Sequence, residues 1–193
     1  PRFAHSLKTL LKPGRHKLLA SHRRTQGLLL APGNPLGVQG LADLTRAGLR
    51  FVHRQPGSGT RLLVEHLLAE AGIDMQRIGG PQGASEDTHV AVAAAVASGA
   101  ADAGVGIEAA AVQFGLHFVP LADEDYYLVC LKDALDGAAV QRLRGLLASP
   151  AWRDALHTLA GCEPHAHAGD VLSLTRALPW WHYRAPKDAA AGR

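Results

Sequence analysis

The sequence contains few aromatic residues and only two cysteines. Phe, Trp and Tyr together make up 5% of the 193 residues, whereas 47% are apolar and 21 are Gly. A chain of this composition is typical of α/β proteins rather than of all-β sandwiches. Cys130 and Cys162 are too few to form a disulfide framework in a chain of this length. We therefore expect an α/β protein in which both cysteines are free.

The sequence also lacks a hydrophobic run long enough to cross a membrane. A spanning helix needs about 20 consecutive apolar residues, and the best candidate, residues 90–101, is shorter and is interrupted by Ser98 and Gly99. No membrane span is predicted. The sequence starts at Pro1 without an initiating Met or a signal segment, which indicates a processed N-terminus or the boundary of a piece of a longer protein.

Positive charge is modest but unevenly distributed. The formal net charge is +3, and the basic residues are concentrated before residue 62. They alternate with aliphatic residues and have no aromatic residues between them, which favours a solvated basic face over a nucleic-acid site. A mildly basic protein also suits a small anionic ligand. The residues concerned are Lys12, Arg15, His16, Lys17, His22, Arg23 and Arg24.

One segment carries the clearest chemical signal. The mostly apolar segment LRFV at 49–52 leads to Arg54, and the sequence Gly-Ser-Gly-Thr at 57–60 precedes a helical stripe over 62–71. This pattern predicts a strand, a turn and a helix that starts at Ser58. The first turn of a helix has unpaired N–H groups and the positive end of the helix dipole, and an Arg side chain adds a two-pronged donor. We therefore expect this segment to bind a tetrahedral oxyanion.

The segment also allows a purely structural interpretation. Ser58 can be only a helix N-cap and Gly57 only a turn residue, as at many strand-to-helix junctions. The glycine spacing is not that of a nucleotide-binding P-loop. Catalysis is disfavoured because no nucleophile-elbow pattern surrounds Ser58, and the acidic residues Glu86 and Asp87 simply suit a helix start. The protein is not predicted to be an enzyme.

The rest of the chain alternates between extended and helical patterns. Residues 85–88 start a helix over 90–97, a short glycine-flanked strand follows at 103–107, and another helix covers 108–114. This order predicts a parallel sheet with covering helices. Separate extended segments are predicted at 16–20, 26–31, 116–121 and 126–131, the last two divided by the acidic residues 123–125.

Histidine is frequent, but a metal site is disfavoured. His165 and His167 lie close to Cys162 and Glu163, without the ligand spacing of a structural zinc site. His53, His66 and His89 are single residues on strand or helix faces and are interpreted as structural histidines. No cofactor and no metal ligand are predicted.

The segments together carry a family resemblance. They include RTQGL at 24–28, APGNP at 31–35, FVHRQPGSGTR at 51–61, THVAVAAAVASG at 88–99, ADAGVGIEAAA at 101–111 and residues 115–131. In this combination the chain resembles the periplasmic-binding-protein-like domain of molybdate-responsive bacterial regulators, which is also fused to molybdopterin-biosynthesis proteins.

The resemblance implies a two-lobed α/β fold with mostly parallel sheets and a ligand held between the lobes. Residues 1–38 would form part of the first lobe, residues 39–112 the second lobe, and residues 113–193 would return to the first lobe with C-terminal helices and a tail. Proteins of this type begin with β-α units that have no counterpart in residues 1–14, so the first lobe is expected to be truncated at its N-terminus.

The same resemblance implies a set of ligand-binding residues. Arg54, Ser58, Gly59 and Thr60 match the arginine and Ser-Gly-Thr signature with which phosphate-binding proteins of this superfamily hold an oxyanion. Thr88 opens a helix and either offers its hydroxyl and N–H to the same anion or only caps that helix.

Further candidates lie outside that signature. Tyr126 matches the position at which molybdate-binding proteins offer a tyrosine hydroxyl; the alternative is a packed ring with its hydroxyl at the surface. Arg24, Thr25 and Gln26 either line the cleft or make a polar contact between the lobes.

These observations lead to a functional hypothesis. The chain is expected to be the small-oxyanion sensor domain of a bacterial transcriptional regulator, with molybdate or tungstate as ligand, acting in the cytoplasm and reaching DNA only through a domain outside this chain. A homodimer is compatible with this role. One alternative is the periplasmic binding component of an oxyanion ABC transporter, and the other is a scaffold domain whose site has decayed.

Overall fold

The structure, a computed structural model, describes residues 7–79, 84–178 and 180–181. The chain divides into two compact units. The first unit takes the described residues of Pro1–His22, Tyr126–Ala155 and Pro164–Arg193, and the second takes those of Arg23–Asp125 and Leu156–Glu163. The lobe boundaries at residues 38 and 112 that the resemblance implies stay a prediction.

The described residues form short helices around a set of strands. The strands are β1 His16–Leu30, β2 Phe51–Arg54, β3 Ser85–Glu86, β4 Ala103–Ile107, β5 His117–Leu131, β6 Cys162–Pro164 and β7 Val171–Leu172. The α-helices are α1 Gly59–Glu70, α2 His89–Ala97, α3 Glu108–Gln113, α4 Ala138–Leu147, α5 Pro150–His157 and α6 Leu174–Ala177. Short 3-10 helices cover Leu41–Thr45, Met75–Arg77 and Lys132–Ala134. Within the described part of the chain, no helix has the length and apolar character that crossing a membrane requires.

The sheet of the second unit is mixed. Its strand order is β3-β2-β4-β1-β5, and β2 pairs in parallel with both β3 and β4. β1 runs antiparallel to β4, with Gln26 opposite Ile107 and Leu30 opposite Ala103. The α/β class is confirmed, whereas the expectation of mostly parallel sheets is corrected. The alternation of strand and helix correctly predicted the parallel pairing of β2 to β4, but it contains no information on the direction in which β1 joins them.

β1 and β5 are longer than the sequence pattern indicated. Each is a continuous strand of 15 residues, not two segments separated by polar residues. Within the second unit the polar residues of the two strands pair with one another: Arg23 with Asp125 at 3.1 Å, Arg24 with Glu124, and Thr25 with Asp123 at 2.8 Å. From one pair to the next the residue number rises by one on β1 and falls by one on β5, so the two strands are antiparallel there. Cross-strand pairing explains why charged residues continue the strands.

Apolar side chains of the second unit pack on both faces of its sheet. Leu28 and Leu30 belong to one cluster, with Val64 and Leu68 of α1, while Leu29 belongs to another. Because successive residues of a strand point to opposite faces, the two clusters lie on opposite sides of β1. The cluster around Leu29 contains residues of both α2 and α3, namely Val92, Ala93, Val96, Ala110 and Ala111. α1 therefore covers one face, and α2 and α3 cover the other.

The first unit has its own apolar cluster. Leu18 and Ala20 of β1 pack with Leu172 of β7 and with Leu174 and Trp181. β1 pairs antiparallel with β7 here, with Leu18 opposite Leu172. This unit therefore has a hydrophobic core separate from the two clusters of the second unit.

Candidate functional site

The N-termini of α1 and α2 lie at the same edge of the sheet in the second unit. The parallel strands β2 and β3 end at this edge and lead to the N-termini of α1 and α2. Ser58 caps α1, its Oγ accepting from the backbone N–H of Arg61 at 3.2 Å, and Thr88 caps α2, its Oγ1 accepting from the N–H of Ala91 at 3.0 Å. The remaining N–H groups of both first turns and the two helix dipoles favour negative charge at this edge.

Arg54, the last residue of β2, is fixed between these helix starts. Its Nε donates to the carbonyl oxygen of Glu86 at 3.2 Å, and its Nη2 donates to the carbonyl oxygen of Asp87 at 2.7 Å. Its Nη1 lies 3.2 Å from Nδ1 of His89. These contacts use one N–H on each guanidinium nitrogen, and in the described part of the chain they leave one N–H on Nη1 and one on Nη2 without an acceptor. The side chain is thus oriented by the protein while it keeps two donors for a ligand.

The surroundings of Arg54 are partly buried and basic. Burial lowers the pKa of Arg54, the nearby Asp87 raises it, and the positive charge of Arg24 lowers it further. Burial, Arg54 and Arg24 lower the pKa of His89 to about 4. Arg24 itself forms an ion pair with Glu124. An anion at this edge would therefore meet the guanidinium group of Arg54 and, beside it, an uncharged imidazole.

The predicted residues Ser58, Gly59 and Thr60 are brought together with Arg54 at the start of α1. The hydroxyl of Ser58 donates to the carbonyl oxygen of Gln55 at 2.9 Å and caps the helix, so its hydrogen is already engaged. Gly59 and Thr60 are the first helical residues, and their N–H groups have no acceptor within the helix. Backbone N–H groups are therefore what this turn can offer an anion.

Thr60 also lines a small internal cavity. Its side chain is buried and lines a space of about 10 Å³ beside His53 and Arg54. Nδ1 of His53 is buried without a partner among the described residues, and burial is the main reason that the pKa of His53 is lowered. The volume is roughly that needed by one water molecule, which could satisfy this nitrogen.

The other residues predicted from the sequence to bind the ligand are divided between the two units. Thr88 is at the same edge of the second unit as Arg54. Tyr126 belongs to the first unit, where its ring stacks on His22 with 5.0 Å between centroids and 42% of the residue is exposed. Gln26, opposite Ile107, is fully buried, and neither atom of its amide has a partner among the described residues. In the described part of the chain, no three His, Cys, Asp or Glu side chains could hold a metal ion.

The contact between His89 and Arg54 is not apparent from the sequence. The sequence pattern predicts a single structural histidine at position 89, but in the structure its ring contacts the guanidinium group. The position immediately after the helix cap Thr88 was the available signal, because a side chain in a first turn lies at the same edge as the preceding loop.

The comparison with protein families decides what kind of domain this is. Residues 3–148 match the model of the PBP superfamily domain, which is about three quarters of the chain. The chain belongs to the PBP superfamily. This finding confirms the periplasmic-binding-protein-like part of the resemblance and agrees with the α/β architecture.

This PBP domain is similar to a sequence relative and to solved structures. The uncharacterized protein YvgK of Bacillus subtilis (strain 168) is 41% identical over 109 residues, which are 56% of this chain and 35% of YvgK. The chain therefore spans about a third of the length of that relative.

The two solved structures are similar in fold. PEB3 with bound L-phospholactate has a TM-score of 0.57 at 16% identity, with 77% of this chain and 69% of PEB3 covered. The substrate-binding domain of a putative molybdenum ABC transporter from Clostridium difficile has a TM-score of 0.54 at 16% identity, with 85% and 73% covered. At these identities the likeness shows the PBP fold, and the ligand has to be argued from the site of this chain.

Proposed function

We propose that this PBP domain binds a small oxyanion of the molybdate or tungstate type and serves as the ligand sensor of a bacterial transcriptional regulator. The observation that carries the proposal is Arg54, whose guanidinium is fixed between two helix starts with two N–H donors outside its protein contacts. A charge-assisted hydrogen bond from such a donor typically contributes about 1.5 to 3 kcal/mol. The donors are already oriented, so little conformational entropy is lost when the anion binds.

The charges around Arg54 favour an anion over a neutral or cationic ligand. Arg24 is near enough to affect the pKa of both Arg54 and His89, and the N-termini of α1 and α2 add partial positive charge. Glu124 already pairs with Arg24, so the charge left for a ligand at this edge is that of Arg54 and the two helix starts. An oxyanion would pair with Arg54 and accept from both helix starts.

The names of two proteins of similar fold support the same ligand class. PEB3 was crystallised with L-phospholactate, which carries a phosphate group, and the Clostridium difficile domain comes from a putative molybdenum transporter. A phosphate group is a tetrahedral oxyanion, and molybdate is the tetrahedral oxyanion of molybdenum. We therefore propose molybdate and tungstate as the first ligands to test, with phosphate and sulfate as competitors.

The regulator role rests on the sequence resemblance, and the transporter role is the second candidate. YvgK is about three times as long as the segment it shares with this chain, which leaves room in that protein for other domains. A regulator would use the domain in the cytoplasm and contact DNA through another part of the polypeptide. A transport binding protein would work in the periplasm, and the Clostridium difficile neighbour favours that alternative. Fractionation of cells expressing the full-length gene product distinguishes the two locations.

Isothermal titration calorimetry tests the ligand. The wild-type protein is titrated with molybdate, tungstate, sulfate and phosphate, beside Arg54→Ala and the control Arg77→Ala. Arg77 is an exposed residue of the 3-10 helix Met75–Arg77, so its substitution removes the same charge without touching the candidate site. We expect Arg54→Ala to weaken binding at least tenfold and Arg77→Ala to leave it within about twofold.

Two results would contradict the proposal. Wild-type affinity in Arg54→Ala would show that the anion binds elsewhere. No heat of binding and no change in melting temperature with any of the four anions would favour the remaining alternative, a scaffold domain with a decayed site.

A further inference from the structure

His89 has a defined relationship to Arg54. It is the first residue of α2, and its Nδ1 lies 3.2 Å from Nη1 of Arg54. Its ring lies close to β4, because a Cβ at Gly106 would be 3.5 Å from Nδ1 of His89, an ordinary contact distance. The histidine is therefore seated against the sheet with one nitrogen directed at the guanidinium.

The chemistry of the two groups fixes the tautomer of the imidazole. A guanidinium group has only donors, so Nδ1 of His89 has to be the acceptor in this contact. The proton of the neutral ring is then on Nε2. The charged groups near the ring are Arg54 on β2 and Arg24 on β1, and together with burial they lower the pKa of His89. The imidazole is consequently uncharged at neutral pH.

The three acceptors that contact Arg54 among the described residues are therefore all uncharged. Two are backbone carbonyl oxygens, those of Glu86 and Asp87, and the third is the imidazole of His89. A carboxylate at position 89 could also orient the guanidinium, but it would pair with it as an ion and take a second N–H donor. The carboxylate of Asp87 influences the pKa of Arg54, yet the hydrogen bond from this residue comes from its carbonyl oxygen.

We propose that His89 is a positioning residue that orients Arg54 through a neutral acceptor, so that the charge and two donors of the guanidinium remain available to an oxyanion. This inference rests on the proposed oxyanion function and adds a residue to its site. Neutral anchoring explains why a histidine occupies the first turn of α2 beside an arginine, where a carboxylate would suit the helix dipole better.

An isosteric pair of substitutions tests the role of charge. His89→Asn keeps a neutral acceptor near the position of Nδ1, and His89→Asp places a carboxylate of nearly the same shape there. Titration of both variants with molybdate at pH 7.5, with circular dichroism to check folding, compares them directly. We expect His89→Asn to bind within about threefold of wild type and His89→Asp to bind at least tenfold more weakly. Equal affinities for the two variants would overturn the proposal.

Nitrogen-15 NMR of the histidine rings gives a second readout that does not depend on ligand. We expect the wild-type ring of His89 to be neutral and protonated on Nε2 at pH 7, with Nδ1 shifted by its hydrogen bond. A protonated ring or the Nδ1–H tautomer at pH 7 would overturn the proposed contact. If wild-type protein binds none of the four oxyanions, the oxyanion function fails, whereas the NMR result still decides whether His89 anchors Arg54 as a neutral acceptor.

Discussion

Gly104 of β4 lies directly against Val92 of α2. A Cβ at position 104 would come within 2.5 Å of Cγ1 of Val92 and 2.8 Å of Cγ1 of Val52. Only a residue without a side chain allows α2 to approach the sheet this closely. The position of α2 matters because Thr88 caps this helix and His89 is its first residue.

Gly104→Ala should therefore destabilise the protein by overpacking. We expect the free energy of unfolding, measured by urea denaturation, to fall by about 1 to 3 kcal/mol. The matched control is Gly145→Ala in α4, where a Cβ meets no atom within 4 Å. Because Ala is preferred to Gly inside a helix, the control should raise the stability by about 0.5 to 1 kcal/mol. The same sign for both substitutions would contradict the close packing of α2.

Thr88→Ala separates the two interpretations of Thr88. Loss of the hydrogen bond from the N–H of Ala91 should cost about 1 kcal/mol of stability, whereas Thr88→Ser should retain the cap. If the hydroxyl also contacts the anion, Thr88→Ala should weaken molybdate binding while Thr88→Ser does not. Unchanged affinity in Thr88→Ala would leave Thr88 with the capping role alone.

The free energy of unfolding should decrease when the pH is lowered, and part of this decrease should come from His89. The pKa of His89 is about 4 in the folded protein, against an ordinary value of 6.5. Below pH 6.5 the unfolded chain takes up a proton that the folded protein does not accept until about pH 4, so the free energy of unfolding decreases as the pH falls across this window. After allowance for solvent screening at this partly exposed ring, we expect a loss of about 1 to 2 kcal/mol.

His89→Asn isolates this contribution. The lowered pKa of His53 acts in the same direction, but it is present in both proteins and cancels in the comparison. Urea denaturation at pH 7.5 and pH 4.5 should show a smaller loss for His89→Asn than for wild type. An identical loss in the two proteins would mean that His89 is not held neutral by the fold.

Gln26→Met should stabilise the protein. The Gln26 side chain is fully buried on β1, and both its amide atoms lack partners among the described residues. A buried, unsatisfied polar group typically costs about 1 to 3 kcal/mol, which an apolar side chain of similar shape avoids. Thermal unfolding should show a higher melting temperature for Gln26→Met, while the exposed control Gln113→Met should change little. A lower melting temperature would show that the amide has a stabilising partner, such as a bound water.

The strand, turn and helix that carry the candidate site could be predicted from the sequence. A strand before Arg54 and a helix that begins after Ser58 are both present, as β2 and α1. These features depend on neighbouring residues: apolar residues that favour a strand, a serine that caps a helix, and glycines that permit the turn. The superfamily could be inferred for the same reason, because its motifs are local.

The continuity of β1 and β5 could not be predicted in this way. Arg23 and Arg24 look like the end of a strand when only their neighbours in sequence are considered. They are about 100 residues from their partners Asp125 and Glu124, and only the pairing of the strands brings these charges together.

The sequence by itself determined the helix starts, the caps and the presence of an arginine at the end of β2, because each depends on hydrogen bonds and dihedral preferences within a few residues. The tertiary structure decided which groups surround that arginine. The carbonyl oxygens of Glu86 and Asp87 and the ring of His89 are more than 30 positions away from Arg54, at separations of 32, 33 and 35 residues. Burial and the nearby charge of Arg24 then keep that ring neutral, and both are properties of the packed chain rather than of its local sequence.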